Sequence, residues 1–172
     1  AAEAADRALL MRDLTVEMRA DLLKAIGNGY LKAERHDLAI EALKRAADLM
    51  PQSDEVQVSL GSVYLAQGQI EDARRHFQNA LVASPRNDRA LTGMGCCLYS
   101  MGEKQAAHDL FANSLEINIQ NPSAVFHLVK CAFELKIYAT AAHLLGKYAE
   151  ISPVNPNLLY SLAGLSFHLG KL

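Results

Sequence analysis

A 34-residue register runs through the chain without a single insertion. Its clearest column holds Leu60, Gly61, Tyr64, Gly68, Ala73, Phe77, Ala80 and Pro85. One period later stand Met94, Gly95, Leu98, Gly102, Ala107, Phe111, Ser114 and Ile119. One period earlier come Ile26, Gly27, Tyr30, Glu34, Ala39, Leu43, Ala46 and Pro51. The last full period supplies Leu128, Val129, Ala132, Lys136, Ala141, Leu145, Tyr148 and Pro153. A chain that repeats large and small residues at fixed offsets must stack similar elements, because each period buries its apolar face only against its neighbours.

Apolar residues three and four apart give two buried stripes per period, so each unit reads as two helices. Small residues recur at the eighth place (Gly27, Gly61, Gly95, Ala163) and the twentieth (Ala39, Ala73, Ala107, Ala141). Helices approach closely only where side chains are short, so these places mark the crossing within each pair. Gly68, Gly102 and Gly170 stand where the first helix must end, since glycine takes the left-handed conformation at little cost. Pro51, Pro85 and Pro153 end the second helix by pushing the preceding residue out of the helical region. Asn121-Pro122 and Asn155-Pro156 restart the next helix, with asparagine as cap and proline in the first turn.

This pattern resembles the tetratricopeptide repeat. The resemblance covers residues 20–155 as four units (20–53, 54–87, 88–121 and 122–155) and 156–172 as the first helix of a fifth. It implies an all-α solenoid, a right-handed superhelix of antiparallel helix pairs. Nine helices are expected from residue 20 onward. Residues 1–19 read as a short helix carried by the Ala5, Leu9 spacing, the remnant of a preceding repeat.

Composition narrows the function. Half of the chain is hydrophobic (51%) and 21% is charged, which suits one solenoid with a continuous core. No stretch is apolar enough to span a bilayer, and no secretory signal opens the chain. Its alanine-rich start reads as a trimmed terminus. The formal charge of −2, with no basic run, argues against a nucleic-acid role. Residues 1–89 hold 12 Lys/Arg and 14 Asp/Glu, whereas residues 90–172 hold 5 and 5, so a partner is expected on the second half.

Cys96, Cys97 and Cys131 have no metal or redox spacing; Cys97 and Cys131 read as small core residues in a reducing compartment. The six histidines form no metal motif either. His76, His108 and His143 read as solvated residues of second helices, and His127 as a hydrogen-bonding group of a first helix. With no Ser–His–Asp pattern and no phosphate loop, neither an enzyme nor a cofactor is expected.

In this family the concave groove is lined by the first helices. The candidate groove residues here are Lys24, Asn28, Ser59, Ser62, Arg89, Gly93, Cys96, Tyr99, Phe126, His127, Lys130 and Phe133. Ser59, Ser62, Gly93 and Cys96 read as an open floor of short side chains. Tyr99, Phe126 and Phe133 read as anchors for the apolar side chains of an extended peptide. Lys24 and Asn28 resemble the opening of a carboxylate clamp. The remaining clamp places hold Ser59, Arg89 and Gly93, of which only Arg89 is compatible.

Residues 88–135 resemble a second, narrower family. Gly93-x-Gly95-x-Cys97, Gly102, Ala107, Ile119, Pro122 and Phe126-His127-x-x-x-Cys131 look like repeats of type III secretion chaperones for translocator proteins. That resemblance implies a bacterial cytoplasmic protein that holds a hydrophobic protein client. The chain carries more repeats than that family does, so a structural scaffold is the alternative. The half unit after Pro156 is rich in leucine and lacks a covering helix, so its end is expected to associate with another molecule, a second copy included. The N-terminal helix offers another such route.

Overall fold

The structure is a computed structural model that describes residues 14–151 and 156–170. The described residues form nine α-helices and no strand. The expected features at Ala5, Leu9, Pro153 and Asn155 lie outside the described residues.

The chain divides into two compact halves, Ala1–Pro85 and Arg86–Leu172. The N-terminal half contains α1 (Val16–Lys32), α2 (His36–Leu49), α3 (Asp54–Ala66) and α4 (Ile70–Ala83). The C-terminal half contains α5 (Asp88–Ser100), α6 (Lys104–Ile117), α7 (Pro122–Leu135), α8 (Tyr138–Ile151) and α9 (Pro156–His168). Helix α1 starts at Val16, so residues 16–19 belong to it and not to a preceding helix, as the 1–19 reading had them. Thr15 decides that start: its hydroxyl accepts from the backbone N–H of Met18 at 3.2 Å.

Helices α3, α5 and α7 are capped by side chains, as α1 is. Ser53, Asn87 and Asn121 accept from the N–H groups of Val56, Ala90 and Ala124 at 3.4, 2.8 and 3.1 Å. The even-numbered helices α2, α4 and α6 lack such caps, because each follows a tight turn out of the helix before it. Gly68 and Gly102 make that turn with φ of +74° and +88°. Beyond them, Gln69 N–H bonds Tyr64 C=O and Glu103 N–H bonds Leu98 C=O, both at 2.9 Å, tying off the helix end. Glu34 and Lys136 occupy the same place with φ of +57° and +59°, where a side chain is strained.

Three helix crossings are as close as the small residues allow. A Cβ on Gly27 would lie 2.5 Å from Leu43 Cγ, and one on Gly61 2.8 Å from Phe77 Cε1. On Gly95 it would lie 2.6 Å from Phe111 Cε1. Leu43, Phe77 and Phe111 are fully buried on these glycines. Ala39, Ala73, Ala107 and Ala141 are fully buried as well. The fourth pair differs: Val129 stands in place of glycine, and α7 packs on α8 far more loosely than α1 on α2, α3 on α4 or α5 on α6.

A polar network joins α5, α6 and α7. Asn121 Nδ2 donates to Asp88 Oδ2 at 2.8 Å and to Thr92 Oγ1 at 3.1 Å. Ser114 Oγ donates to the Asp88 carbonyl at 2.9 Å, and Asn118 Nδ2 reaches Asp88 Oδ2 at 3.0 Å. Thr92, Ser114 and Asn121 are buried together, so each supplies a partner the others lost when water was excluded, while Asn118 joins from the exposed rim.

Candidate functional site

In the N-terminal half the candidate residues lie on α1 and α3. Lys24 is paired with Asp21 at 3.0 Å and with Glu55 of α3. Burial opposes its charge, but the bonds to Glu55 and Asp21 outweigh that and raise its pKa. A lysine already neutralised twice is a poor seat for an incoming carboxylate. Asn28 is half-buried one turn further along α1. Ser62 Oγ donates back to its own helix at Val58 C=O, 2.8 Å away.

Two residues of the expected open floor are closed. Ser59 is 1% exposed, and Gly93 in the C-terminal half is also buried. Short side chains draw neighbouring helices together, and close packing takes up the room they would leave. Ser59 Oγ consequently sits in the core with no hydrogen-bond partner.

The remaining candidates lie on α5 and α7. Arg89 is exposed near the start of α5. Cys96 is half-buried, and burial, with Cys97 and Cys131 beside it, pushes its thiol up to about 12. It is therefore protonated and inert at neutral pH. Cys97 and Cys131 are fully buried core residues. Tyr99 donates its hydroxyl to Glu134 Oε1 at 2.5 Å, and Lys130 Nζ stands 4.6 Å from its ring centroid. Glu134 also pairs with Lys104 at 2.8 Å; the bonds from Lys104 and then Tyr99 lower its pKa.

Helix α7 carries the aromatic residues. Phe126 is 65% exposed, and its ring meets His127 edge-on at 5.2 Å. His127 in turn stacks on buried Phe111 at 5.2 Å, and its Nδ1 is buried without a partner. The sequence reading made His127 a hydrogen-bonding group; stacking between aromatic rings is what holds it. Burial, assisted by Lys130, lowers its pKa. Phe133 is partly covered by Tyr138 and His168, with ring centroids at 5.7 and 5.8 Å.

Two histidines expected in solvent are not there. His108 is 4% exposed, bonded through Nδ1 to Asp109 at 3.1 Å. His76 is half-buried, stacked on Tyr64 and bonded to Gln57 at 2.8 Å. His108 directly follows the crossing residue Ala107, and His76 lies three residues, about one turn, after Ala73. His143 is exposed. Among the described residues no group of three His, Cys, Asp or Glu could hold a metal, and no helix is long and apolar enough to cross a membrane.

One feature has no counterpart among the candidates beyond Phe126 and Lys130. A cleft of about 430 Å³ opens between α7, α8 and α9, lined chiefly by Val125, Val129, Leu145, Tyr148 and Leu158. The signal for it in the sequence is the break in the glycine column at Val129.

Residues 30–78 match the family model of the tetratricopeptide repeat. The fold is that of a tetratricopeptide-repeat protein. Residues 76–148 match the model of anaphase-promoting complex, cyclosome, subunit 3. Similar structures share the fold at low identity. Pseudomonas aeruginosa PilF is 20% identical with a TM-score of 0.77, over 91% of this chain and 71% of that one. The first repeat domain of Spaghetti (RPAP3), bound to the HSP90 peptide SRMEEVD, is 22% identical with a TM-score of 0.64, over 70% and 95%. YrrB, a repeat protein with an unusual peptide-binding site, is 19% identical with a TM-score of 0.68, over 99% and 86%. No curated protein sequence matches the chain.

Proposed function

We propose that the chain is a protein-interaction module that holds an extended, apolar-anchored peptide on the face of its odd-numbered helices. In the N-terminal half that face carries Lys24, Asn28 and Ser62, with Ser59 beneath it; in the C-terminal half it carries Arg89, Cys96, Tyr99, Phe126, His127, Lys130 and Phe133, with Gly93 beneath it. The observation that carries the reading is Phe126, a ring left 65% exposed on α7 where the equivalent Val58 and Thr92 are buried. An exposed aromatic side chain beside an apolar cleft and a lysine is an anchor point for another chain's apolar residue. The neighbours support a binding role, since one holds the HSP90 peptide and another is named for a peptide-binding site.

The finer reading is a chaperone or adaptor of the type III secretion kind, acting in a bacterial cytoplasm on a hydrophobic client. It rests on Phe126-His127 and the aligned Cys97 and Cys131. A scaffold role is favoured by a separate observation: α9 leaves Leu159, Tyr160 and Phe167 exposed at 54, 78 and 63%. A second folded subunit, or a second copy, would cover that surface.

Photocrosslinking in the native cell separates the two. A benzophenone side chain at Phe126 should capture a client through an extended, protease-sensitive segment. Capture from α9 of a protease-resistant folded partner, with none at Phe126, would favour the scaffold. Crosslinks arising only from exposed Arg75 or His143 would move the site off this face and overturn both.

A further inference from the structure

The fourth helix pair breaks the rule by which the others close. In the first three pairs a large side chain of the even-numbered helix rests directly on glycine, so that a Cβ there would lie 2.5–2.8 Å away. Leu145 occupies that place in α8, and Val129, with a branched side chain, stands where the other pairs have glycine. Helices α7 and α8 pack loosely, and the cleft of about 430 Å³ opens between them and α9. That volume falls in the range of small-ligand pockets and is too small for a folded surface.

The chemistry of the cleft is one-sided. Val125, Val129, Leu145 and Leu158 make its walls apolar, with Phe126 in its lining. Lys130 is the one charged residue among the described lining residues. Its ammonium lies over the Tyr99 ring, and no carboxylate lies within ion-pair distance of it among the described residues. The nearby Glu134 is engaged by Lys104 and Tyr99. An apolar slot with a cation in its lining, one that acts on Glu134 but is in no ion pair among the described residues, complements an apolar group that carries a negative charge close by.

We propose that this cleft takes a leucine or phenylalanine side chain of a peptide whose next residues carry a carboxylate for Lys130. The proposal rests on the peptide-binding reading above and deepens it. It places the deepest anchor between helices and not on the groove surface, and it assigns the sign of the neighbouring charge. Ser161 on α9 lines the cleft with its hydroxyl returned to Asn157 C=O, so it can be enlarged without loss of a bond between helices.

The test is fluorescence anisotropy of the full chain with labelled eight-residue Ala/Ser peptides. One place carries Phe, Leu or Ala, and the following place carries Glu, Gln or Lys; a further set places the carboxylate at a free C-terminus. Phe–Glu and Leu–Glu peptides should bind about tenfold more tightly than Ala–Glu, and severalfold more tightly than Phe–Gln. Lys130→Gln should equalise Glu and Gln peptides while the preference for Phe over Ala remains. Ser161→Trp, filling the slot from α9, should abolish that preference, and Val129→Gly should do so by letting α7 close on α8. Circular dichroism of each variant, and slower amide exchange in α8 of Val129→Gly, separate closure from unfolding. Phe–Glu binding undiminished by Ser161→Trp in a folded chain would overturn the cleft but leave the peptide-binding face standing. A Glu preference that survives Lys130→Gln would overturn the charge assignment. No binding of any apolar peptide by the unaltered chain would sink both readings together.

Discussion

At Gly61 and Gly95 an added methyl would press into the rings of Phe77 and Phe111, which are themselves fully buried and cannot retreat. Gly61→Ala and Gly95→Ala should each lose about 1–3 kcal/mol through overpacking, read as a lower urea midpoint. Gly29 lies inside α1 with nothing within 4 Å of its added Cβ, so Gly29→Ala should instead gain up to about 1 kcal/mol from helix propensity. Strain runs the other way at Glu34 and Lys136, whose positive φ suits glycine. Glu34→Gly and Lys136→Gly should stabilise the chain by about 1 kcal/mol each. The histidines set a pH dependence. Burial holds His76 and His127 below their ordinary value of 6.5, so the unfolded chain takes up protons first. Stability is then full above pH 6.5, falls as pH drops from there towards the folded-state values, and levels off beneath them. Urea midpoints between pH 8 and 4.5 should show this loss, and His76→Gln with His127→Gln should flatten it.

Among the elements, α7 is both the best anchored at its start and the loosest along its length. Asn121 caps it, and the same side chain joins Asp88 and Thr92 across to α5. Asn121→Ala should cost about 0.5–2 kcal/mol for the cap, and about 1–3 kcal/mol more for the buried groups left unpaired. Ser53→Ala, which removes only the α3 cap, should cost the first amount alone; equal losses in thermal unfolding would show the network carries nothing. Four turns on, α7 depends on a left-handed Lys136 and a valine crossing, and it gives up close packing with α8. A firm start and an open middle are compatible with a helix that admits a ligand without coming loose.

Among the described residues, the exposed aromatic side chains all fall in the C-terminal half. Phe126, Phe133, Leu159, Tyr160 and Phe167 are all exposed in the C-terminal half, the half with few charges. Solenoid stability is a sum over neighbours, so the pair with the poorest internal contact should open first. Hydrogen exchange should therefore release α8 and α9 before α3, α4, α5 and α6, and a bound peptide should slow α8 most. Simultaneous exchange along the whole chain would contradict this ordering.

The register by itself determined the fold, because periodic small residues and turn glycines act locally: Gly27, Gly61 and Gly95 mark crossings, and Gly68 and Gly102 end helices wherever they stand. The fully buried Cys97 and Cys131 were legible for the same reason, as places in a repeating column. What only the tertiary structure decided is what depends on neighbours far along the chain. Ser59 and Gly93 look open in sequence, yet adjacent helices close over them. His108 looks like a surface residue and is buried. Lys24 looks available and is held by Asp21 and Glu55. The cleft beside Phe126 is a consequence of packing among three helices: the break in the glycine column at Val129 marks the place, but the room that opens there depends on where α8 and α9 come to rest.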